Sequence, residues 1–353
     1  MGMLKHFRLR VLHRWIGVIS VVPLALVSLS GAILVYQKPL LRLTVAHSAT
    51  LPIHYTQASV VEQIDDIVLL AQSRSAARIK APNDTEPYWT ITDHSENHTL
   101  YSVKSLTRYK SNNWILDVLW VVRHLHTSLL SNTFGKWLLL FSGMFAVFLS
   151  ISGVVLWWPG KRGFRWRFVC PGSVSKRVAL QLHRHSGIVA LIPLSVILIT
   201  GALMMWQKLI APMLAPLPAE PVLREEQIDW QGTLPASIAL IQAQQLLPQA
   251  WPTYIRVPDA ENPEYQFRFR LPGEWHINGR TRVYVDSISH NVEMTPRADQ
   301  LPWQYRLVNQ LYPFHSAYGM PGFYSVITLV AGWFLFYLSY TGLTSYGKRV
   351  LRR

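Results

Sequence analysis

Cysteine is almost absent from this sequence, with Cys170 the only one among 353 residues. The chain therefore cannot form an internal disulfide. A CxxC zinc site, an iron–sulfur cluster and a c-type haem attachment are excluded as well, because each needs more thiols. A Gly-rich phosphate loop, an HExxH helix and a nucleophile–base pattern are also missing, which excludes the familiar kinase and hydrolase chemistries. The lack of a Rossmann fingerprint argues against direct oxidation of NAD(P)H.

Charged side chains are missing from four long apolar runs. Each run holds at least 20 residues without Asp, Glu, Lys or Arg, and about 20 residues of α-helix cross the roughly 30 Å hydrocarbon core of a bilayer. The runs therefore predict four transmembrane helices. They cover residues 15–37, 137–159, 186–207 and 321–347.

Acidic residues are missing from three segments that flank these runs, at 1–14, 160–185 and 348–353. Together the segments carry 15 Lys or Arg, which accounts for the net charge of +15, because the remainder has 19 residues of each sign. Basic residues accumulate on the cytoplasmic side of membrane proteins. We therefore expect both termini and the connector with Cys170 in the cytoplasm. We assign this charge to topology rather than to nucleic-acid binding.

The two long segments between the spans are expected on the other side of the membrane. The chain then has seven consecutive parts: a cytoplasmic N-terminus with the first span at 1–37, an outer domain with its lead-in at 38–133, a second span at 134–159, a basic cytoplasmic connector at 160–185, a third span at 186–208, a second outer domain with its lead-in at 209–320, and a fourth span with a cytoplasmic tail at 321–353.

Each outer segment shows one helical pattern of apolar residues followed by strand-like stretches. Without disulfides, each segment is expected to fold around a core of its own as a small α+β domain. The predicted helices are 56–73 and 234–247, and the predicted strands are 77–81, 88–93, 99–104, 253–257, 265–271 and 281–286.

Parts of the sequence recur at fixed separations. Leu-His-Arg occurs at 12–14 and again 170 positions later at 182–184. His126 and His315 each precede a glycine by 27 residues, and each follows an aromatic lead-in to the next span. These separations predict two repeats with two histidines each. The recurring glycines are Gly17 and Gly187, Gly31 and Gly201, and Gly153 and Gly342.

These motifs resemble a known family. Leu-His-Arg-x-x-Gly before one span, Leu-His-x-x-Leu before another, and small domains between four spans are similar to the PepSY-associated transmembrane family. More narrowly, the chain is similar to inner-membrane ferric-siderophore reductases with two b-type haems. The resemblance implies an α-helical membrane protein of the bacterial inner membrane. Its fold would be a four-helix transmembrane bundle from two repeats, with two small α+β (PepSY-like) periplasmic domains.

The duplicated histidines are candidate axial ligands of haem iron, because imidazole binds iron strongly and histidine within a bilayer is costly without a partner. By topology, His13 and His183 lie near the inner surface, and His126 and His315 lie near the outer surface. We therefore expect each pair to hold one haem. The alternative interpretation is that these are ordinary interfacial histidines.

Four further residues are candidates for the edges of such sites. Arg14 and Arg184 could pair with haem propionates, although topology control explains them equally well. His124 and His185 have no duplicate and are expected beside the ligands rather than as ligands. The outer histidines are expected on the solvated surface, namely His47, His54, His94, His98, His276 and His290.

One-electron reduction loosens a ferric siderophore, because hard oxygen ligands hold Fe(III) much better than Fe(II). The residues and the resemblance together predict an oxidoreductase, a ferric-siderophore reductase supplied by a quinol or a cytosolic flavoprotein. Two alternatives stay open. One is a cofactor-free PepSY sensor or peptidase regulator, and the other is an electron-transfer subunit of another oxidoreductase.

Overall fold

The structure is a computed structural model that describes residues 2–43, 45, 50–73, 76–94, 98–109, 114–158, 163–169, 178–209, 234–259 and 262–350. The chain divides into two compact units. The helical unit comprises Met1–Tyr36, Val121–Leu217 and Leu311–Arg353, and the sheet unit comprises Gln37–Trp120 and Pro218–Gln310.

The helices and strands follow one another in an order that recurs along the chain. The helices are α1 (Gly2–Val35), α2 (Gln37–Arg42), α3 (Gln57–Gln72), α4 (Trp114–Ser128), α5 (Asn132–Trp157), α6 (Ala179–Val189), α7 (Leu191–Leu209), α8 (Ala236–Leu246), α9 (Trp303–Asn309), α10 (Leu311–Ser316) and α11 (Gly322–Val350). The strands are β1 (Ala76–Lys80), β2 (Tyr88–Asp93), β3 (His98–Ser102), β4 (Trp251–Arg256), β5 (Glu264–Arg270), β6 (Thr281–Asp286) and β7 (Val292–Met294).

Four helices are long and apolar enough to cross a membrane, and they confirm the four predicted spans. They are His6–Val35, Asn132–Trp157, Leu191–Leu209 and Gly322–Tyr346. The third differs from its predicted start at residue 186, because α6 and α7 are separate helices that meet at Ala190. Pro193 explains this break, since proline has no N–H to donate to the carbonyl of Val189.

The four long helices pack in a closed order. Helix α1 contacts α5 and α11, and α7 contacts the same two helices. Buried Leu24, Ala146, Leu194 and Leu198 form the apolar core between them. The bundle therefore brings helices from distant parts of the chain into contact, as α1 with α11 and α5 with α7.

The sheet unit contains one antiparallel sheet of seven strands in the order β3-β2-β1-β4-β5-β6-β7. Strands β1 and β4 join its two halves through the pairs Ile79–Ile255 and Lys80–Tyr254. The prediction that each outer segment has its own core is therefore wrong. An isolated three- or four-stranded half would leave β1 or β4 as an open edge, and their pairing removes both edges.

Helices α3 and α8 pack on one face of this sheet and contribute to a single hydrophobic core. Ile64 from α3, Leu240 from α8 and Phe267 from β5 are fully buried in it. Asp65 of α3 also accepts hydrogen bonds from the backbone N–H and the hydroxyl of Ser237 on α8, at 2.9 and 2.5 Å. Strand β7 was not predicted, because its three exposed residues show no alternation.

The opposite face of the sheet is polar and meets α2. Lys38 of α2 and Lys80 of β1 both donate to the carboxylate of Glu86. Burial alone would raise the pKa of Glu86, but the two lysines outweigh it and hold this pKa below its usual range. Glu86 thus remains charged, and α2 is anchored to β1 through it.

Candidate functional site

The helical unit brings the four duplicated histidines together in the two predicted pairs. His13 of α1 and His183 of α6 have ring centroids 6.3 Å apart, with an angle of 83° between the rings. His126 of α4 and His315 of α10 have centroids 5.9 Å apart at 38°. Each pair joins residues that are about half the chain apart, so bundle packing creates both.

The rings of His126 and His315 are oriented by matching hydrogen bonds. Nδ1 of His126 donates to the carbonyl oxygen of Val27 at 3.0 Å. Nδ1 of His315 donates to the carbonyl oxygen of Ile197, also at 3.0 Å. Because a carbonyl oxygen only accepts, Nδ1 carries the proton and Nε2 keeps its lone pair. The two acceptors are 170 positions apart, like the Leu-His-Arg motifs.

The rings of His13 and His183 are held in the same tautomer. Nδ1 of His183 donates to the carbonyl oxygen of Leu338 at 3.0 Å. Nδ1 of His13 lies 2.7 Å from the hydroxyl oxygen of Ser152. That hydroxyl already donates to the carbonyl of Phe148, so it accepts from His13. All four rings therefore leave Nε2 as a potential metal ligand, and such a tautomer is what ligating histidines require.

A glycine on a neighbouring helix lies against each imidazole, and we call it the glycine seat of that ring. A Cβ on Gly31 would lie 2.8 Å from Cε1 of His126, and a Cβ on Gly201 would lie 2.8 Å from Cε1 of His315. The seats of the other pair are looser. A Cβ on Gly342 would lie 3.4 Å from Cε1 of His183. A Cβ on Gly153 would lie 3.6 Å from Cε1 of His13.

A hydroxyl residue precedes each of these glycines and lies beside the same imidazole. The distance from its oxygen to Nδ1 is 2.7 Å for Ser152, 3.2 Å for Ser30, 3.3 Å for Thr200 and 3.4 Å for Thr341. The glycines were identified from the sequence as recurring, but these hydroxyl neighbours were not. A signal was present, because each apolar run has a Ser-Gly or Thr-Gly dipeptide at the recurring position, although the runs 137–159 and 186–207 each contain a second one.

The donor set and spacing fit a haem between each pair. An imidazole nitrogen binds a first-row metal at about 2 Å, and the ring centre lies about 1 Å further, so two axial imidazoles have centroids about 6 Å apart. The observed 6.3 and 5.9 Å match this value. All four imidazoles are partly exposed. Among the described residues, no group of three or more His, Cys, Asp or Glu is placed to hold a metal ion.

Arg14 and Arg184, the two candidate partners of haem propionates, differ in their burial. Arg14 lies between the rings of Trp15 and Tyr346, with its guanidinium carbon 6.0 Å from each centroid. Its Nε is buried without a hydrogen-bond partner among the described residues, and a propionate of a haem at His13 would satisfy it. Arg184 is exposed, which is also what topology control requires.

The two unduplicated histidines lie outside the pairs. On α4 it is His126, and not His124, whose ring faces His315. His185 is buried, and its Nδ1 and Nε2 lie 2.7 and 3.3 Å from the carbonyl oxygens of Gln181 and Gly163. Its ring also packs against Phe164 and Phe168 of the connector. A neutral imidazole has one N–H, which donates to the closer oxygen, that of Gln181.

The prediction that the outer histidines are solvated holds for His54, His94 and His290, which are exposed. It is wrong for His276, which is only 3% exposed. Burial and the neighbouring Arg280 and Arg268 lower the pKa of His276 to about 3. The residue lies between β5 and β6, where a turn folds back onto the polar face of the sheet. His47 lies outside the described residues.

Comparison with known families gives one match that covers almost the whole chain. The family described as the PepSY-associated TM region matches residues 10–349. This range includes the four long helices, the sheet and all four paired histidines. No curated protein sequence matches the chain.

Proposed function

The chain belongs to the PepSY-associated TM region family, and from this premise we propose that it is a haem-containing electron-transfer protein that reduces ferric siderophores. One observation carries the proposal. Two histidine pairs present unprotonated Nε2 atoms at the spacing of bis-imidazole ligation. Each b-type haem, when bound, supplies one-electron redox chemistry.

The protein's own residues would hold and orient the two groups. The Nδ1 hydrogen bonds fix each ring and raise the basicity of its Nε2. The glycine seats let Cε1 of each imidazole approach a neighbouring helix closely. Along α1, His13 precedes Val27 by 14 residues, a rise of about 21 Å, so the two sites lie at different depths. This spacing supports electron movement across a membrane rather than storage in one place.

The proposed orientation rests on the charge distribution and the two repeats. With both termini and residues 160–185 in the cytoplasm of a bacterium, His13 and His183 lie at the inner side of the inner membrane. His126 and His315 then lie at the periplasmic side, as does the sheet unit. The fixed separations of 170 and 189 positions, which also relate the hydrogen-bond partners, support a pseudo-two-fold relation between the repeats.

The proposed reaction takes one electron per iron. Fe(III) in the siderophore is reduced to Fe(II), and the oxygen-rich ligand then releases the metal. A quinol that is oxidised to quinone supplies two electrons and releases two protons, so it reduces two ferric complexes. A reduced cytosolic flavoprotein is the alternative donor. The siderophore and the iron are substrates, and the membrane lipid is the solvent of the helical unit.

The experiment begins with the absorption spectrum and a pyridine haemochrome assay of the purified protein, which should give two b-type haems per chain. The protein is then reduced with dithionite, freed of excess reductant, and mixed with a ferric hydroxamate and a chromogenic Fe(II) chelator. The reduced haem bands should decay as the Fe(II) complex forms. A colourless protein would instead favour a cofactor-free sensor, and haem that stays reduced with every ferric chelate would favour an electron-transfer subunit.

The orientation has a separate test. Cys170 is the only thiol, and it lies outside the described residues. A membrane-impermeant maleimide should label it only after spheroplasts are lysed. Labelling of intact spheroplasts would contradict the proposed topology without affecting the haem assignment.

A further inference from the structure

The polar face of the sheet carries a concentrated group of cations that the proposed function leaves unused. In β5, Tyr265, Phe267 and Phe269 are buried in the core beneath α3 and α8. The alternating residues Arg268 and Arg270 therefore point to the opposite face. This is also the face that α2 contacts through Glu86.

Strand register aligns the cations in one row across four strands. Lys80 of β1 is paired with Tyr254 of β4, Tyr254 with Arg268 of β5, and Arg268 with Arg282 of β6. Like charges directly opposite each other on neighbouring strands are destabilising. The pairing of Arg268 with Arg282 therefore costs stability and calls for a compensating partner.

Tyr254 lies at the centre of the group. Its ring centroid is 5.6 Å from Nζ of Lys80 and 5.5 and 5.9 Å from the guanidinium carbons of Arg78 and Arg268. Cation–π attraction holds these groups over the ring, but an aromatic ring does not neutralise their charge. The arrangement thus keeps three cations close together around one neutral side chain.

Strands β5 and β6 also contain carboxylates, but these lie apart from Arg268 and Arg282. Glu264 of β5 is paired with Asp286 of β6, so the acids face each other as the arginines do. Gln266 and Tyr284 separate the two groups and hydrogen-bond to each other at 3.2 Å. Each acid is thus four residues from the arginine on its own strand, about 13 Å. The two strands therefore carry a positive end and a negative end on this face.

Other acidic groups near the cations are already used. Glu86 is held between Lys38 and Lys80, and Oε2 of Glu274 accepts from the backbone N–H of Leu271 at 3.1 Å. Burial raises the pKa of Glu274, although the nearby arginines oppose this. Its Oε2 is thus already bonded to the backbone.

The arginines show the consequence of this imbalance. Burial, followed by the charges of Arg280 and Arg282, lowers the pKa of Arg268 to about 10. Nε and Nη2 of Arg268 both donate to the carbonyl oxygen of Gly279, at 2.7 and 2.5 Å. Nε of Arg280 is buried with no hydrogen-bond partner among the described residues. An external anion would offset this repulsion.

We propose that Arg268 and Arg282, together with Arg280, bind a ferric chelate that carries several carboxylates and a net negative charge. Lys80, at the other end of the row, is buried and bonded to Glu86, so the three arginines supply the positive charge. A ligand with several anionic groups can contact more than one of these arginines, and a single phosphate cannot contact them all. Arginine forks suit carboxylates because they form paired hydrogen bonds. The inference rests on the proposed function, for which it names the substrate class as anionic.

The test measures binding of gallium(III) citrate to the intact, detergent-solubilised protein by titration calorimetry in a phosphate-free buffer of low ionic strength. Gallium(III) replaces Fe(III) and is not reduced, so binding is observed without electron transfer. Arg282→Glu and Arg280→Gln should each weaken binding roughly tenfold or more, as expected for the loss of a charge-assisted hydrogen bond. Arg282 is exposed, so its replacement should leave the fold intact, which circular dichroism would verify.

The matched control is Arg256→Gln. Arg256 is an exposed arginine of β4 that pairs with Asp259 at 3.3 Å, and its loss should leave gallium citrate binding unchanged. Equal binding by wild type, Arg282→Glu and Arg280→Gln would overturn the proposal. So would equal competition by inorganic phosphate, by vesicles of anionic lipid, or by a gallium trihydroxamate of net positive charge.

The binding result and the reductase result are independent. If gallium citrate binds through Arg282 while the dithionite-reduced protein never reduces ferric citrate, the anion site stands and the reductase function fails. If ferric citrate is reduced at the same rate and half-saturating concentration by wild type and Arg282→Glu, the reductase function stands and the anion site fails.

Discussion

The two histidine pairs of the helical unit use the same donor atoms but differ in how closely the neighbouring helices pack against the rings. The His126–His315 pair lies on two glycine seats with space for no Cβ, and its rings are 38° apart. The His13–His183 pair lies on seats where a Cβ would make ordinary contact, and its rings are nearly perpendicular at 83°. The two pairs therefore use equivalent histidines, but the fit around each ring differs.

The acceptors of the Nδ1 hydrogen bonds also differ between the two pairs. His126 and His315 both donate to a backbone carbonyl, and the two acceptors correspond at the 170-residue separation. In the other pair, His183 donates to a carbonyl and His13 to a hydroxyl. A backbone carbonyl is held by its helix, whereas a hydroxyl can rotate. One pair is thus symmetric and rigid, and the other is asymmetric and more adaptable.

The largest expected effect comes from removing a ligand. His126→Ala or His315→Ala should abolish one low-spin haem, and His13→Ala or His183→Ala should abolish the other, so haem content falls from two to one per chain. Electron paramagnetic resonance distinguishes the two, because nearly perpendicular imidazoles leave two iron d orbitals close in energy and give a more anisotropic signal. Four variants that each retain both signals would disprove the ligand assignment.

Replacing the glycine seats by alanine should give the next largest effect, and this effect should differ between the two pairs. Gly31→Ala and Gly201→Ala place a Cβ 2.8 Å from an imidazole carbon, closer than real Cβ atoms approach. Overpacking of this kind costs roughly 1–3 kcal/mol, so the haem affinity of the His126–His315 site should fall by roughly 5- to 150-fold and its haem content should fall with it. Gly153→Ala and Gly342→Ala should leave the other site occupied.

The matched control for these variants is Gly332→Ala. Gly332 packs against Ala32 of α1, where a Cβ would lie 3.5 Å from the Ala32 Cβ and no imidazole is near. Haem content of the control should equal that of the wild type in the pyridine haemochrome assay. If all five glycine variants lose haem equally, the bundle rather than the seat is responsible, and the difference between the pairs disappears.

Replacing the hydroxyl neighbours should have a smaller effect than replacing the glycines. The effect should be larger at the His13–His183 pair than at the His126–His315 pair, the reverse of the order expected for the glycines. Nδ1 of His13 has the Ser152 hydroxyl as its acceptor at 2.7 Å, whereas Nδ1 of His126 has the Val27 carbonyl in addition to Ser30. Partners of ligating histidines change metal affinity or activity by about 10- to 100-fold. Ser152→Ala should therefore shift the midpoint potential of its haem more than Ser30→Ala shifts the other. Equal shifts in a spectroelectrochemical titration would contradict this.

The sequence predicted the pairs but could not predict their seats. Equal separations identify equivalent histidines, such as His13 and His183, and charge segregation predicts that they lie at the same side of the membrane. Which glycine faces which histidine depends on the packing order of the helices, and periodicity does not contain that information. Gly153 was thus recognised as a marker in the chain, although it serves His13, 140 residues earlier.

The sheet unit shows the same limit in another form. Helices α3 and α8 and six of the seven strands were located from periodicity to within about two residues, whereas α2 and α9 were not predicted. Their division into two domains was wrong, because the alternation of a strand defines its buried face but not its neighbour. The pairs Ile79–Ile255 and Lys80–Tyr254 join the halves, and they also create the row of cations that no motif predicted.

The smallest expected effect is that of His124→Ala, which sharpens the comparison at the level of one helix. His124 and His126 are two positions apart on α4, and residues i and i+2 of an α-helix point to different faces. Only one of them can face His315, and His126 does so. His124→Ala should therefore retain two haems per chain and both low-spin signals, while His126→Ala loses one. The reverse result would show that His124 is the ligand and that the tight seat at Gly31 serves another purpose.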